Sequence, residues 1–97
     1  MKTLYFIVDK DTIRFDESKD KVSDPEKLAF RFSQEWDGTA KVVKFTQGDK
    51  EYNPQILSYG TECYIPKEAL GGSFFRIIIL GRNNIKHLKT KPFIVNL

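Results

Sequence analysis

The stretch Ser73-Phe-Phe-Arg-Ile-Ile-Ile-Leu-Gly81 is the strongest strand signal in the chain, since aromatic and β-branched residues fill it. Successive side chains of a strand point to opposite faces, so this strand is apolar on both faces. One face carries Phe75, Ile77 and Ile79, and the other carries Phe74, Arg76, Ile78 and Leu80. Such a strand lies either in the centre of a covered sheet or against a partner. The second alternative makes Phe74, Arg76, Ile78 and Leu80 a candidate protein-contact face.

Short strands separated by turn residues continue on both sides of this stretch. The pattern predicts strands at 2–8, 12–15, 27–32, 41–45, 50–57, 62–65, 73–81 and 85–97. One short helical turn is predicted at 66–70, where Pro66 begins it and Gly71-Gly72 ends it. Pro92 indicates an edge strand or a bend. We therefore expect one all-β domain, a sandwich or a barrel, that occupies residues 1–97.

The composition supports a packed core and a mildly basic surface. Hydrophobic residues make up 40% of the chain, the net charge is +3 and the pI is about 9.0. The only cysteine is Cys63, so no intrachain disulfide can form and a reducing compartment is expected. Positive charge concentrates near the last predicted hairpin, in a candidate basic patch of Arg82, Lys86, His87, Lys89 and Lys91. This patch is either a solvated strand and turn or a contact for an acidic partner or nucleic acid.

No set of residues in the sequence matches a catalytic or metal site. His87 is the only histidine and has no second ligand near it in the chain, and Cys63 is expected to be a small buried hydrophobe. Two pairs of carboxylates stand close together in the sequence, Asp9/Asp11 and Asp16/Glu17. Neither pair has the spacing of a calcium-binding loop. No serine lies in a Gly-x-Ser-x-Gly setting. We therefore predict no enzymatic activity, no cofactor, no metal and no small-molecule substrate.

No membrane association is predicted either. The apolar stretch at residues 2–8 is short and lacks the cleavage site of a signal peptide. The longest purely aliphatic run, at residues 77–80, is much shorter than a membrane span.

Four motifs carry a resemblance to a known family. They are Phe30-x-Phe32-x-x-x-Trp36-Asp37-Gly38, Lys41-x-Val43-x-Phe45, Cys63-x-Ile65-Pro66-x-Glu68-x-Leu70 and Gly72-x-x-Phe75-x-Ile77-x-Ile79-x-Gly81. From residue 28 to the last residue, the chain resembles small immunoglobulin-like β-sandwich modules of phage and prophage structural proteins from Gram-positive bacteria. Such modules often stand at the N-termini of tail or baseplate proteins. The first 27 residues fit the resemblance less well.

The resemblance implies an immunoglobulin-like antiparallel β-sandwich. In it Trp36 would close one end, Val43 and Phe45 would line one sheet, and Phe75, Ile77 and Ile79 would line the other. These are packing positions, so the resemblance implies a setting and no catalytic site. That setting is a non-enzymatic structural module of a tail or baseplate, which contacts itself or other virion proteins. Its location would be the bacterial cytoplasm during assembly and afterwards the virion.

Two other functions stay open. A carbohydrate-binding β-sandwich would use exposed aromatic rings as sugar platforms; its candidates are Tyr5, Tyr52, Tyr59 and Tyr64. Tyr59 lies in a predicted turn and is expected to be the most exposed of the four. A nucleic-acid-binding β domain would use the basic patch, but aromatic residues do not interleave with its lysines, which makes this function the less favoured.

Overall fold

The computed structural model describes residues 2–97, in which ten β-strands and two 3₁₀ turns are found. The strands are β1 (Thr3–Asp9), β2 (Thr12–Phe15), β3 (Lys27–Phe32), β4 (Ala40–Gln47), β5 (Lys50–Glu51), β6 (Gln55–Ile56), β7 (Glu62–Tyr64), β8 (Phe74–Arg82), β9 (His87–Lys89) and β10 (Phe93–Asn96). The first 3₁₀ turn spans Gln34–Trp36 and the second spans Lys67–Gly71. The second turn is the predicted helical turn.

Two sheets face each other across the core, which confirms the predicted all-β sandwich. The first sheet has the strand order β2-β1-β3-β7. The second has the order β10-β8-β4-β5, and in addition β6 pairs with β4 and β9 pairs with β8. The antiparallel pairing of β3 with β7, and of β4 and β10 with β8, is the pairing of strands B–E and C–F–G in immunoglobulin sandwiches.

The first hairpin departs from a wholly antiparallel arrangement, because β1 runs parallel to β3. The chain reverses at Lys10, whose φ of 57° lies in the left-handed region, and β2 then returns beside β1 on the outer edge of the sheet. Residues 16–26 carry the chain back to the beginning of β1, so that Lys27 pairs with Thr3. Parallel neighbours need such a long connection, and this one is irregular rather than helical.

The core is formed by alternate side chains of both sheets. The first sheet contributes Leu4, Phe6, Val8, Leu28 and Phe30, and the second contributes Val43, Phe45, Phe75, Ile77 and Ile79. The prediction that β4 and β8 would line opposite sheets is therefore wrong. They are hydrogen-bonded neighbours, with Val43 opposite Ile79 and Phe45 opposite Ile77. The facing layer comes in large part from β1, within the first 27 residues.

Two predicted strands are interrupted. The strand expected at 50–57 divides into β5 and β6, because Pro54 has no N–H with which to continue the ladder. The strand expected at 85–97 divides into β9 and β10. Between them, the N–H of Ile79 donates to the Thr90 hydroxyl at 2.9 Å. Pro92 stands just before β10, which is an edge strand, one of the two alternatives that this proline predicted. The interruptions shorten the strands at both edges of the second sheet.

Trp36 closes one end of the sandwich, as the resemblance implied. Its indole Nε1 donates to the carbonyl of Lys10 at 2.7 Å, and its ring lies 5.2 Å from the ring of Phe32. Gly81 leaves room for this ring, since a Cβ there would lie 2.7 Å from the indole carbons. Val43 and the second 3₁₀ turn pack further along the same core, where Ala69 is fully buried.

Replacing Gly81 by alanine should therefore lower the free energy of unfolding by about 1–3 kcal/mol, the usual cost of overpacking a core. Gly71→Ala is the matched control, because a Cβ at Gly71 meets no atom within 4 Å and its φ is not in the left-handed region. Urea unfolding followed by Trp36 fluorescence measures both variants. Equal stability of Gly81→Ala and Gly71→Ala would contradict the tight contact between Trp36 and β8.

Candidate protein-contact face

β8 buries one of its apolar faces and leaves the other without a covering layer. Phe75, Ile77 and Ile79 point inward and are fully buried. The four residues of the predicted contact face, Phe74, Arg76, Ile78 and Leu80, all point outward and are half-buried. The main contacts of β8 are with its strand neighbours β4, β9 and β10 and with the second 3₁₀ turn. The flanking strands therefore account for the partial burial.

Cross-strand register extends this surface sideways over the second sheet. Leu80 lies between Val42 and Lys89, and Ile56 lies on the far side of Val42. The side chain of Ile56 is 77% exposed and that of Ile94, which pairs with Arg76, is 49% exposed. We call this surface the outer face. Its apolar members are Val42, Ile56, Phe74, Ile78, Leu80 and Ile94.

The charged side chains of the outer face are nearly all basic. Lys44 pairs with Ile78 and Arg82 pairs with His87. Lys89 lies between these two pairs, opposite Leu80, and Arg76 lies beyond Ile78, opposite Thr46. The acidic side chain is Glu51, which stands opposite Thr46 at the β5 edge. Among residues 2–97 the ion pairs are Lys27–Glu62 and Lys91–Asp11, and neither lies on the outer face. Its cations are therefore free to meet charges on a partner.

The predicted basic patch is divided between two surfaces. Arg82, His87 and Lys89 belong to the outer face and, with Leu80, line a shallow depression of about 340 Å³. Lys86 instead donates a hydrogen bond from Nζ to the carbonyl of Glu35 in the first 3₁₀ turn. Lys91 lies 4.0 Å from the carboxylate of Asp11. For Lys86 the turn between β8 and β9 explains this position, because the side chain of Asn83 accepts hydrogen bonds from the backbone N–H groups at 85 and 86. Lys91 follows the break after β9, and its own N–H donates to the carbonyl of Asp11 at 2.7 Å.

The outward surface of the first sheet has a different character. Tyr5 and Tyr64 are exposed there, but the ammonium group of Lys19 lies 5.4 Å from the Tyr5 ring, and that of Lys27 lies 5.2 Å from the Tyr64 ring. Lys27 also pairs with Glu62 at 2.6 Å, and this hydrogen bond raises the pKa of Lys27. The cations of this surface are thus partly matched within the chain.

The remaining tyrosines fall into two environments. Tyr59 is 100% exposed, as expected for its turn, and its φ of 53° is unusual for a bulky residue. Tyr52 is half-buried, and its hydroxyl donates to Gln47 Oε1 at 2.9 Å. Tyr59 is therefore the tyrosine most available to a ligand.

The residues considered for chemistry lie apart. Cys63 is buried in the first sheet, as expected, whereas His87 is exposed on the second. The carboxyl of Asp16 accepts hydrogen bonds from the hydroxyl and N–H of Ser18, which lower its pKa. Within residues 2–97, no group of three or more His, Cys, Asp and Glu side chains could hold a metal ion, and no helix has the length and apolar character needed to cross a membrane.

A larger cleft, of about 410 Å³, opens at one end of the sandwich. Its lining includes Lys2, Glu26, Leu70 and Leu97. The carboxylate of Glu26 accepts a hydrogen bond from the backbone N–H of Lys2 at 3.4 Å, so one of its polar groups is already used by the chain. The cleft has both charged and apolar lining residues, and Asp24 is among the charged ones.

The sequence identified the β8 residues of the outer face and, as part of the basic patch, His87 and Lys89, but not its members on β4, β6 and β10. Val42, Ile56 and Ile94 join it only through the register of β4, β6 and β10 with their neighbours. Alternation of apolar and polar residues indicates which side chains share a face within one strand, but it does not say which strands pair. The position of Ile94 two residues after Pro92 was the one local signal, since the break there shifts the register with β8 by one residue.

The chain matches no protein-family model, and neither the curated proteins nor the solved structures contain a significant match to it.

Burial raises the pKa of the Cys63 thiol to about 12, from an ordinary value of 9.0. The folded chain therefore favours the neutral thiol, and the stability associated with it is complete below about pH 9 and is lost as the pH rises toward 12. Between about pH 8 and about pH 10.5, the wild type should lose about 2 kcal/mol more unfolding free energy than Cys63→Ala. Urea titrations across this pH range measure it, and parallel pH profiles for the two proteins would contradict the buried thiol.

Proposed function

We propose that this chain is a non-enzymatic structural module that works through protein–protein contacts made by the outer face, within the tail or baseplate of a phage or prophage. The observation that carries the proposal is the uncovered apolar surface over β4, β6, β8 and β10. Ile56 and Ile94 are largely exposed there beside the half-buried Ile78 and Leu80. Contiguous exposed apolar surface of this kind is typical of protein interaction sites.

The rigidity of this surface supports a contact role. The outward side chains of β8 stand on a strand that is hydrogen-bonded on both sides, to β4 on one and to β9 and β10 on the other. Its inward side chains are fully buried against the first sheet. A partner would therefore meet side chains that are already held in place, and a preorganised surface loses little conformational entropy on binding.

The phage setting is supported by the resemblance of residues 28–97. The motif positions Trp36, Val43 and Phe75 are buried in the core, although Val43 and Phe75 lie in the same sheet. The non-enzymatic nature is supported by the separation of the two most reactive side chains. Cys63 is buried in one sheet and has a raised pKa, while His87 is exposed on the other, so they do not form a nucleophile–base pair.

The proposal predicts that the chain is part of assembled particles and that the outer face keeps it there. Ile56→Asp with Ile94→Asp should prevent incorporation, because a charged group replaces the apolar contact. Ile85→Asp is the matched control, since Ile85 is 91% exposed in the β8–β9 loop and outside the outer face. Phage particles are induced in the bacterium that encodes the chain and are purified on a density gradient. Peptide mass spectrometry then shows which variants the particles contain.

Wild type and Ile85→Asp should be found in the particles, and the double variant should remain in the unassembled fraction with an unchanged melting temperature. Absence of the wild-type chain from purified particles would contradict the phage setting. Equal incorporation of all three proteins would contradict the role of the outer face.

A carbohydrate-binding module is the second candidate, favoured by the full exposure of Tyr59 and by the exposure of Tyr5 and Tyr64 on the first sheet. Tyr5 pairs with Ala29 of β3, and Tyr64 pairs with Lys27 of the same strand. Aromatic rings of this kind can stack on sugars. Titration with a panel of bacterial cell-wall polysaccharides, read by tyrosine ring resonances, distinguishes the two functions. Binding that is lost in Tyr59→Ala and kept in Tyr52→Phe would favour this second function.

A further inference from the structure

From the charges of the outer face we infer the chemistry of its partner: a protein surface that presents apolar side chains within a rim of carboxylates. This inference rests on the proposed contact role of the outer face. The cations are Lys44, Arg76, Arg82 and Lys89, against the single acid Glu51. None of the four takes part in an ion pair within the described residues.

Cations and apolar side chains alternate on the outer face at the spacing of cross-strand neighbours. Lys44 pairs with Ile78, and Lys89 pairs with Leu80. Side chains in such pairs are about 5 Å apart. A partner that covers the apolar groups must therefore also remove water from the neighbouring cations. Because a desolvated cation without a counter-charge is strongly unfavourable, the partner needs carboxylates beside its apolar groups.

The depression at the β8–β9 end shows the same combination at one point. Leu80 gives it an apolar wall, and Arg82 and Lys89 stand on its rim. The guanidinium of Arg82 can bind a carboxylate through two parallel hydrogen bonds. The depression therefore suits one apolar side chain of the partner with an Asp or Glu next to it.

A second copy of the chain, docked through the same face, is disfavoured by these charges. A two-fold symmetric contact places identical patches against each other, so Lys44 and the two arginines of one copy would approach those of the next. The single carboxylate of Glu51 is not enough to neutralise these cations, and it lies at the edge of the sheet. The free chain should accordingly be a monomer.

Nucleic acid is also disfavoured as the occupant. Single-stranded nucleic acids need exposed aromatic rings beside the cations for base stacking. The aromatic side chain of the outer face is Phe74, which is half-buried at one end of β8. Tyr5 and Tyr64 lie on the other sheet. Lys86 and Lys91, which would complete a basic track, are directed toward Glu35 and Asp11.

The test uses three synthetic peptides that alternate valine with glutamate, glutamine or lysine, together with the full isotope-labelled chain. Chemical-shift titrations at low and high salt give both the affinity of each peptide and the residues at which it binds. The glutamate peptide should bind at least about tenfold more tightly than the glutamine peptide, with shifts confined to the outer face, and the lysine peptide should not bind. Added salt should reduce the difference.

Charge reversal provides the matched variants. Arg76→Glu with Arg82→Glu should reverse the preference, so that the lysine peptide binds and the glutamate peptide does not. Lys2→Glu with Lys67→Glu makes the same change in net charge outside the outer face and should leave the preference unchanged. A preference that follows net charge in both double variants would overturn the inference.

Other outcomes separate the two proposals. If the peptides bind without regard to charge while Ile56→Asp with Ile94→Asp still prevents incorporation into particles, the partner chemistry is wrong and the contact role stands. If the glutamate peptide binds the outer face but the chain is absent from particles, the phage setting is wrong and the partner chemistry stands. Association of the free chain in light scattering, or binding of oligothymidine to the outer face, would overturn the inference in favour of a second copy or a nucleic acid.

Discussion

A two-layer sandwich covers each of its sheets on one side only, and β8 is apolar on both sides. The inward face of β8 takes the central place in the core, where Ile77 and Ile79 are fully buried beside Phe45 and Val43. Its outward face has no third layer over it among the described residues. The same strand therefore provides both the largest share of the second sheet's packing and the apolar centre of the outer face.

The two outward surfaces of the sandwich differ in how their charged side chains are arranged. On the first sheet Lys27 pairs with Glu62, and lysines lie over the rings of Tyr5 and Tyr64. Charges there are matched in part, because Arg14 and Arg31 also face outward beside Ile7 and take part in no ion pair among residues 2–97. The outer face of the second sheet carries four cations with no internal ion pair. We propose the second sheet as the surface that meets a partner, because its cations lie among exposed apolar side chains. The sequence shows a basic excess in its last third without indicating the face.

Local patterns predicted much of the fold. The alternation of Leu28 and Phe30 placed β3 correctly, and Pro66 and Pro92 marked a 3₁₀ turn and an edge strand where the chain has them. Strand pairing was beyond such patterns, because it depends on contacts between residues far apart in sequence. The neighbouring positions of β4 and β8 and the parallel pairing of β1 with β3 therefore came only from the structure. The same limit hid Ile56 and Ile94, which join the candidate site through register alone.

Photo-crosslinking within assembled particles tests the contact role of the outer face most directly. A benzophenone amino acid is introduced at position 56 or 94 in separate variants, and at position 85 as the control outside the face. We expect a crosslink from 56 and from 94 to the same virion protein, at a segment rich in Asp and Glu, and none from 85. Crosslinks from 85 alone, or none from 56 and 94 in particles that contain the chain, would contradict it.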